Sequence, residues 1–119
     1  MRVIIAGSRT ITNPLHVDLA VDMSGWFEQI TEIISGCADG VDQLGIKFAE
    51  EMDIVIAEFP ANWKMYGKQA GFKRNEDMAQ YADGLIAIRE NHSRGTSHMI
   101  QTMRDLGKPV FLMEFTRYI

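Results

Sequence analysis

Apolar residues along this chain follow two rhythms that alternate from one end to the other. Five short runs rich in aliphatic and β-branched residues read as strands: Arg2 to Ala6, Glu32 to Ser35, Asp53 to Phe59, Asp83 to Ile88 and Val110 to Met113. Between them, apolar positions recur at helical spacing. The first such segment starts at Thr12-Asn13-Pro14, where a capping side chain precedes a proline, and carries Leu15, Leu19, Met23, Trp26, Phe27 and Ile30, with Gly25 weakening it locally. A second puts Val41, Leu44, Phe48 and Met52 on one stripe. A third runs from Ala70 or Phe72 to Tyr81. A fourth spans Thr96 to Leu106, with Met99, Ile100 and Met103 inward, and stops at Gly107-Lys108-Pro109. Only Pro60 to Gly71 has no clean period, and connections of that length in a small domain tend to be lids or binding loops.

Five strands alternating with four helices predict one α/β domain over residues 1–119. Its core is a doubly wound parallel sheet of order 3-2-1-4-5, with the first strand central and helices on both faces. In such sheets ligands sit beyond the carboxyl ends of the strands, at the point where the winding reverses. The loops that begin at Gly7, Gly36, Pro60 and Arg89 all leave carboxyl ends, which predicts a small-molecule site there.

Composition narrows the function classes. The chain has one cysteine, so no internal disulfide forms, and no apolar run approaches the roughly 20 residues that span a bilayer. The opening Met-Arg-Val-Ile-Ile-Ala-Gly enters a strand at once and lacks a signal peptide's long apolar region, so a cytoplasmic location without membrane contact is expected. The formal net charge of −4 argues against a broad nucleic-acid face, because phosphate affinity is built from Lys and Arg. The methionines and aromatics on the helices, including Trp26, Phe27, Met99 and Met103, predict a homo-oligomer that buries a helix face.

The candidate chemistry centres on Ile33-Ile34-Ser35-Gly36-Cys37-Ala38-Asp39-Gly40-Val41-Asp42, a strand that turns at glycines into a helix. A helix start offers unpaired N–H groups and a favourable dipole to an anion. The plainer reading is a capped turn, with Asp39 as N-cap and Asp42 in the first helical turn. Arg9, Arg74 and Arg94 would lie near the same edge, with Lys64, Lys68 and Lys73 in the lid and at the following helix start; this is a footprint for phosphate or carboxylate. Any single lysine reads better as solvated surface, whereas Arg9 and Arg74 adjoin the glycine-bearing loops. Trp63 and Tyr66 anchor the lid or stack on a base. Cys37 has no His or Asn pattern around it and reads as packing. His16, His92 and His98 lack metal-ligand spacing, so no metal is expected.

Several of these stretches resemble one known family. Gly7-Ser8-Arg9, Ser35 through Asp42, Pro60-Ala61-Asn62-Trp63 with Tyr66-Gly67-Lys68, Ala70-Gly71 through Arg74-Asn75 with Met78, Ala82-Asp83-Gly84, and Gly95-Thr96 look like the YspA-type SLOG family over essentially the whole chain. SLOG domains are Rossmann-like. The resemblance implies a nucleotide or nucleotide-derived ligand, bound as by a sensor or sequestering protein, and assigns no cofactor beyond it. With the loop positions, it gives a ligand-binding set of Gly7, Ser8, Arg9, Ser35, Gly36, Asp39, Gly40, Asp42, Trp63, Lys68, Arg74, Asn75, Gly95 and Thr96. Distant relatives are the cytokinin-activating LOG phosphoribohydrolases and the DprA core, which binds single-stranded DNA, so a nucleotide-processing hydrolase and a strand binder are the alternatives. The phosphoribohydrolase motif Pro-Gly-Gly-x-Gly-Thr-x-x-Glu corresponds here to residues 91–99, where Gly95-Thr96 remain and Met99 takes the acidic position. That loss removes the acid or base expected for N-glycosidic cleavage and leaves the catalytic residues unassigned.

Overall fold

In a computed structural model of the protein, described for residues 1–116, the strands are β1 (Arg2–Gly7), β2 (Glu32–Ser35), β3 (Val55–Glu58), β4 (Gly84–Glu90) and β5 (Val110–Phe115). The helices are α1 (Pro14–Ser24), α2 (Val41–Glu51), α3 (Trp63–Tyr66), α4 (Ala70–Tyr81) and α5 (Arg94–Asp105). All strand pairs are parallel and the order is β3-β2-β1-β4-β5, a Rossmann-like sheet with β1 at its centre.

Alternation along the central strands divides the core in two. Val3, Ile5, Ile33, Ile86 and Ile88 face α1 and α2, where they meet Val17, Val21, Phe48 and Ala49. Ile4, Ala6, Ile34, Leu85 and Ala87 face the other way, onto Met78 of α4 and Met99, Ile100 and Met103 of α5. Because both faces are covered, the strands read as continuous apolar runs rather than alternating ones. Each fully buried Ile is worth about 1.5–3 kcal/mol of transfer free energy, so this double layer fixes the strand register.

The structure departs from the sequence reading where local chemistry overrides period. The first helix ends at Ser24 instead of running to Ile30. Gly25 takes a left-handed φ of 74° and donates its N–H to Asp22 O, and Phe27–Gln29 forms a separate 3-10 turn. Asn13 caps its start by accepting from Leu15 N at 3.1 Å. The stripe named for this helix is its outer face: Leu15, Leu19 and Met23 are 66%, 49% and 58% exposed, while Val17, Ala20 and Val21 are buried. Both sets recur at helical spacing, and only the packing distinguishes them. Met52 is likewise exposed at the end of α2. The lid region carries α3 and a 3-10 turn at Gly67–Gln69. Both β4 and β5 extend two residues past their expected ends, and α5 starts two residues early, at Arg94. Met99 and Met103 pack in the core, so they offer nothing to a partner.

Candidate functional site

The winding reverses between β1 and β4. From there α1 and α2 go to one face of the sheet, and α4 and α5 to the other. A cavity of about 390 Å³ opens at this point, beyond the carboxyl ends of both strands. Its walls are the Gly7–Thr10 loop, Asp42 of α2, Arg74, Asn75 and Met78 of α4, Glu90 at the end of β4, Asn91 and Ser93 after it, and Gly95, Thr96 and Met99 of α5. A second hollow of about 450 Å³ adjoins it, lined by Gly36 to Asp39, Pro60, Ala61 and Trp63. Arg9, Ala38 and Arg74 line both, so the two spaces meet at a waist flanked by two guanidinium groups.

The loops that shape this cleft are held by their own side chains. Ser8, buried, donates its hydroxyl to Glu90 O at 3.3 Å and accepts from Glu90 N at 2.8 Å, which pins the loop after β1 to the end of β4. Ser35 donates to Asp42 O at 3.0 Å and accepts from Cys37 N at 3.2 Å, which ties the end of β2 to the first turn of α2. Both hydroxyls are thus engaged with backbone. Gly40 is the N-cap residue of α2, with φ 77°, and a Cβ there would lie 2.6 Å from Arg9 Cα. The Asp39 cap expected from sequence is one position early. Val41 N donates instead to Ser8 O at 3.3 Å, and the Asp39 side chain is exposed at the outer hollow.

At Gly36 the absence of a side chain is needed, since a Cβ would lie 2.7 Å from Arg74 Nη1 and 2.8 Å from Asp42 Oδ2. The guanidinium and the carboxylate therefore close over this one residue. Arg74 donates Nη1–H to Gly36 O and Nε–H to Asn75 Oδ1, the latter at 3.0 Å. Asn75 is buried, and its amide nitrogen donates to Gly95 O at 3.2 Å. These bonds span α4, the loop after β2 and the start of α5.

The electrostatics single out three groups. Among the described residues the ion pairs are Arg2–Asp83, Lys73–Asp77 and Arg89–Glu114, so neither Arg9 nor Arg74 enters one. Asp42 is 5% exposed, and burial pushes its carboxyl up from 3.8 to about 6, against the opposing pull of the Ala38 N–H bond and of Arg74. Burial also pushes the Cys37 thiol up, the opposite of an activated nucleophile. Among the described residues, no group of three or more His, Cys, Asp or Glu side chains is placed to hold a metal ion, and no helix is long and apolar enough to cross a membrane.

Of the residues expected at the site, Gly7, Ser8, Arg9, Asp42, Arg74, Asn75, Gly95 and Thr96 line the inner cavity, and Gly36, Asp39 and Trp63 line the outer hollow. Ser35 and Gly40 build the turn behind them. Lys68 is exposed and lines neither space, and Lys73 pairs with Asp77 at 2.8 Å. The sequence reading missed Thr10, Glu90, Asn91 and Ser93. Asn91 and His92 take left-handed φ values of 52° and 55°, and Cys37 takes 65°; of the four non-glycine residues of this kind among those described, Asn91 and Cys37 line the cleft and His92 sits between two residues that do. Such conformations cost on the order of 1–3 kcal/mol each and collect at functional sites. The only legible trace was Asn91, since Asn tolerates this region better than most side chains.

No family model matches the chain, and no curated protein matches it.

Proposed function

We propose that the protein binds a nucleotide or nucleotide-derived small molecule across the two hollows, as a cytoplasmic sensor or sequestering protein. The observation that carries this reading is the waist, where Arg9 and Arg74, neither in an ion pair among the described residues, line both spaces, while Gly95 and Thr96 in the first turn of α5 line the inner one. An anion held there receives charge-assisted bonds from guanidinium groups and the dipole of a helix start. Trp63, 54% exposed at the rim of the outer hollow, offers a flat apolar face to a base. The SLOG-like motifs support the same reading.

The test is a titration of AMP and of a single-stranded oligonucleotide at two ionic strengths, beside mass spectrometry of any small molecule that co-purifies. AMP is expected to bind with modest salt dependence. Steep salt dependence with the oligonucleotide, and no AMP affinity, would establish the DprA-like alternative. A specific observation also favours the hydrolase alternative. Although Met99 replaces the expected carboxylate, Asp42 and Glu90 are buried acids that line the same cavity, and a carboxyl that titrates at about 6 suits proton transfer near neutral pH. Release of adenine or ribose phosphate from AMP by the purified protein would support that reading.

A homo-oligomer remains part of the proposal, with its contact face moved. Leu15, Leu19 and Met23 on α1, with Phe27 and Met52 beside them, are all at least 40% exposed. A second copy packed there is expected to give a dimer by light scattering, and Leu19→Asp should return it to a monomer.

A further inference from the structure

We infer that His98, which lies outside the cavity lining, is a positioning residue that sets the aim of Arg74 through Asn75. The inference rests on the reading that Arg74 receives the anion. Its basis is a chain of bonds with one consistent assignment. Arg74 Nε–H can only donate, so the Asn75 atom 3.0 Å away is its oxygen. The Asn75 nitrogen then faces Gly95 O at 3.2 Å and His98 Nδ1 at 3.2 Å. A flipped amide would set its NH2 against the guanidinium and its oxygen against a carbonyl, so this orientation is fixed. His98 Nδ1 must accept, which makes the ring neutral with its proton on Nε2. The ring is held in place by Phe72, with centroids 4.3 Å apart and planes 31° apart.

Protonation of the ring turns Nδ1 into a donor that faces another donor. Asn75 then keeps Gly95 O alone and is pushed away from the ring, which weakens the bond from its oxygen that fixes the Nε side of Arg74. The charged groups that line a separate surface hollow with the ring are Glu76 from α4 and Asp105 from α5, beside Gln80 and Gln101, and Arg94 lies one turn earlier on α5. The effect is read by comparing about pH 8 with about pH 5.5.

The test uses wild type, His98→Asn and His98→Phe. Asparagine puts an amide oxygen near the Nδ1 position and accepts at every pH, whereas phenylalanine keeps the ring contact with Phe72 and accepts at none. In protein without ligand, the Arg74 Nε–H signal in NMR is expected to be protected from exchange at pH 8 and exposed at pH 5.5 in wild type. It should stay protected at both pH values in His98→Asn and exposed at both in His98→Phe. With AMP as probe, the His98→Asn to wild-type affinity ratio should rise roughly fivefold from pH 8 to pH 5.5, about the worth of one neutral hydrogen bond, and the titration of AMP itself cancels in that ratio. An Arg74 signal that ignores both pH and the His98 variants would overturn the inference, even if AMP binds through Arg74. AMP affinity unchanged in Arg74→Ala, with the relay seen by NMR, would instead overturn the anion reading alone.

Discussion

Arg74→Ala is expected to weaken AMP binding by roughly tenfold to over a hundredfold, measured by calorimetric titration. A well-aligned charge-assisted fork is worth about 1.5–3 kcal/mol, and about 1.4 kcal/mol corresponds to a factor of ten. The same change removes the bonds from Arg74 to Gly36 O and to Asn75 Oδ1, so apo stability should fall as well, by about 1 kcal/mol per lost bond. Apo melting curves separate the two effects. AMP at free concentration L stabilises wild type and variant alike by RT ln(1 + L/Kd), so the melting curves without AMP report the lost bonds and the titration reports the lost anion contact. Cys37→Ala is the reference, since Cys37 packs beside the same loop and its thiol donates only a weak bond to Ser35 O at 3.7 Å. Equal affinity in folded Arg74→Ala would mean that the anion sits elsewhere.

The legible parts of this protein were those dictated by period and topology. Continuous apolar strands crossed by amphipathic helices leave one economical arrangement, and the strand order and central β1 followed from right-handed crossovers. The position of the cleft followed in turn, because the topology sends four loops to one edge. Period could not say which side of a helix is inside when both sides carry apolar residues, as α1 does with Leu15, Leu19 and Met23 outside and Val17, Ala20 and Val21 within. Nor could it tell a site residue from a strut. Ser8 and Ser35 read as ligand contacts from their place beside glycines, yet their hydroxyls bind the backbone of Glu90 and Asp42. Lys68 entered the site set with the family resemblance, whereas the residues alone read any single lysine as solvated surface, and it is exposed. Glu90 was invisible because its cavity wall exists only where β4 runs two residues past its apolar stretch and meets Ser8.

Asp42→Asn is expected to stabilise the protein at neutral pH, because the buried carboxylate stands out as a cost to folding. Its pKa is raised from 3.8 to about 6, so the folded state holds the proton more tightly than the unfolded chain. For a raised carboxyl the sign is plain. The contribution to stability is fully present below about pH 4, falls as pH rises through about 6, and at pH 7 leaves a penalty of about 3 kcal/mol, from roughly two pKa units at about 1.4 kcal/mol each. Asparagine removes the charge and keeps one oxygen for Ala38 N, which the carboxylate holds at 3.2 Å. Its NH2 accepts nothing, and the Gly7 N–H also favours the carboxylate, so the net gain should be about 1–3 kcal/mol, a rise in Tm of several degrees at pH 7 that vanishes at pH 4. A residue kept at that cost beside the cavity invites a functional account, and the same variant discriminates between binding and hydrolysis of a nucleotide. If the site only binds, removing a negative charge near the waist should tighten AMP binding, more at pH 8 than at pH 5 where Asp42 is already protonated. If the site cleaves a glycosidic bond with Asp42 as acid or base, turnover should fall by about a hundredfold or more while AMP still binds. Lower stability of Asp42→Asn at pH 7 would show that the carboxylate's bonds to the two loops outweigh its burial.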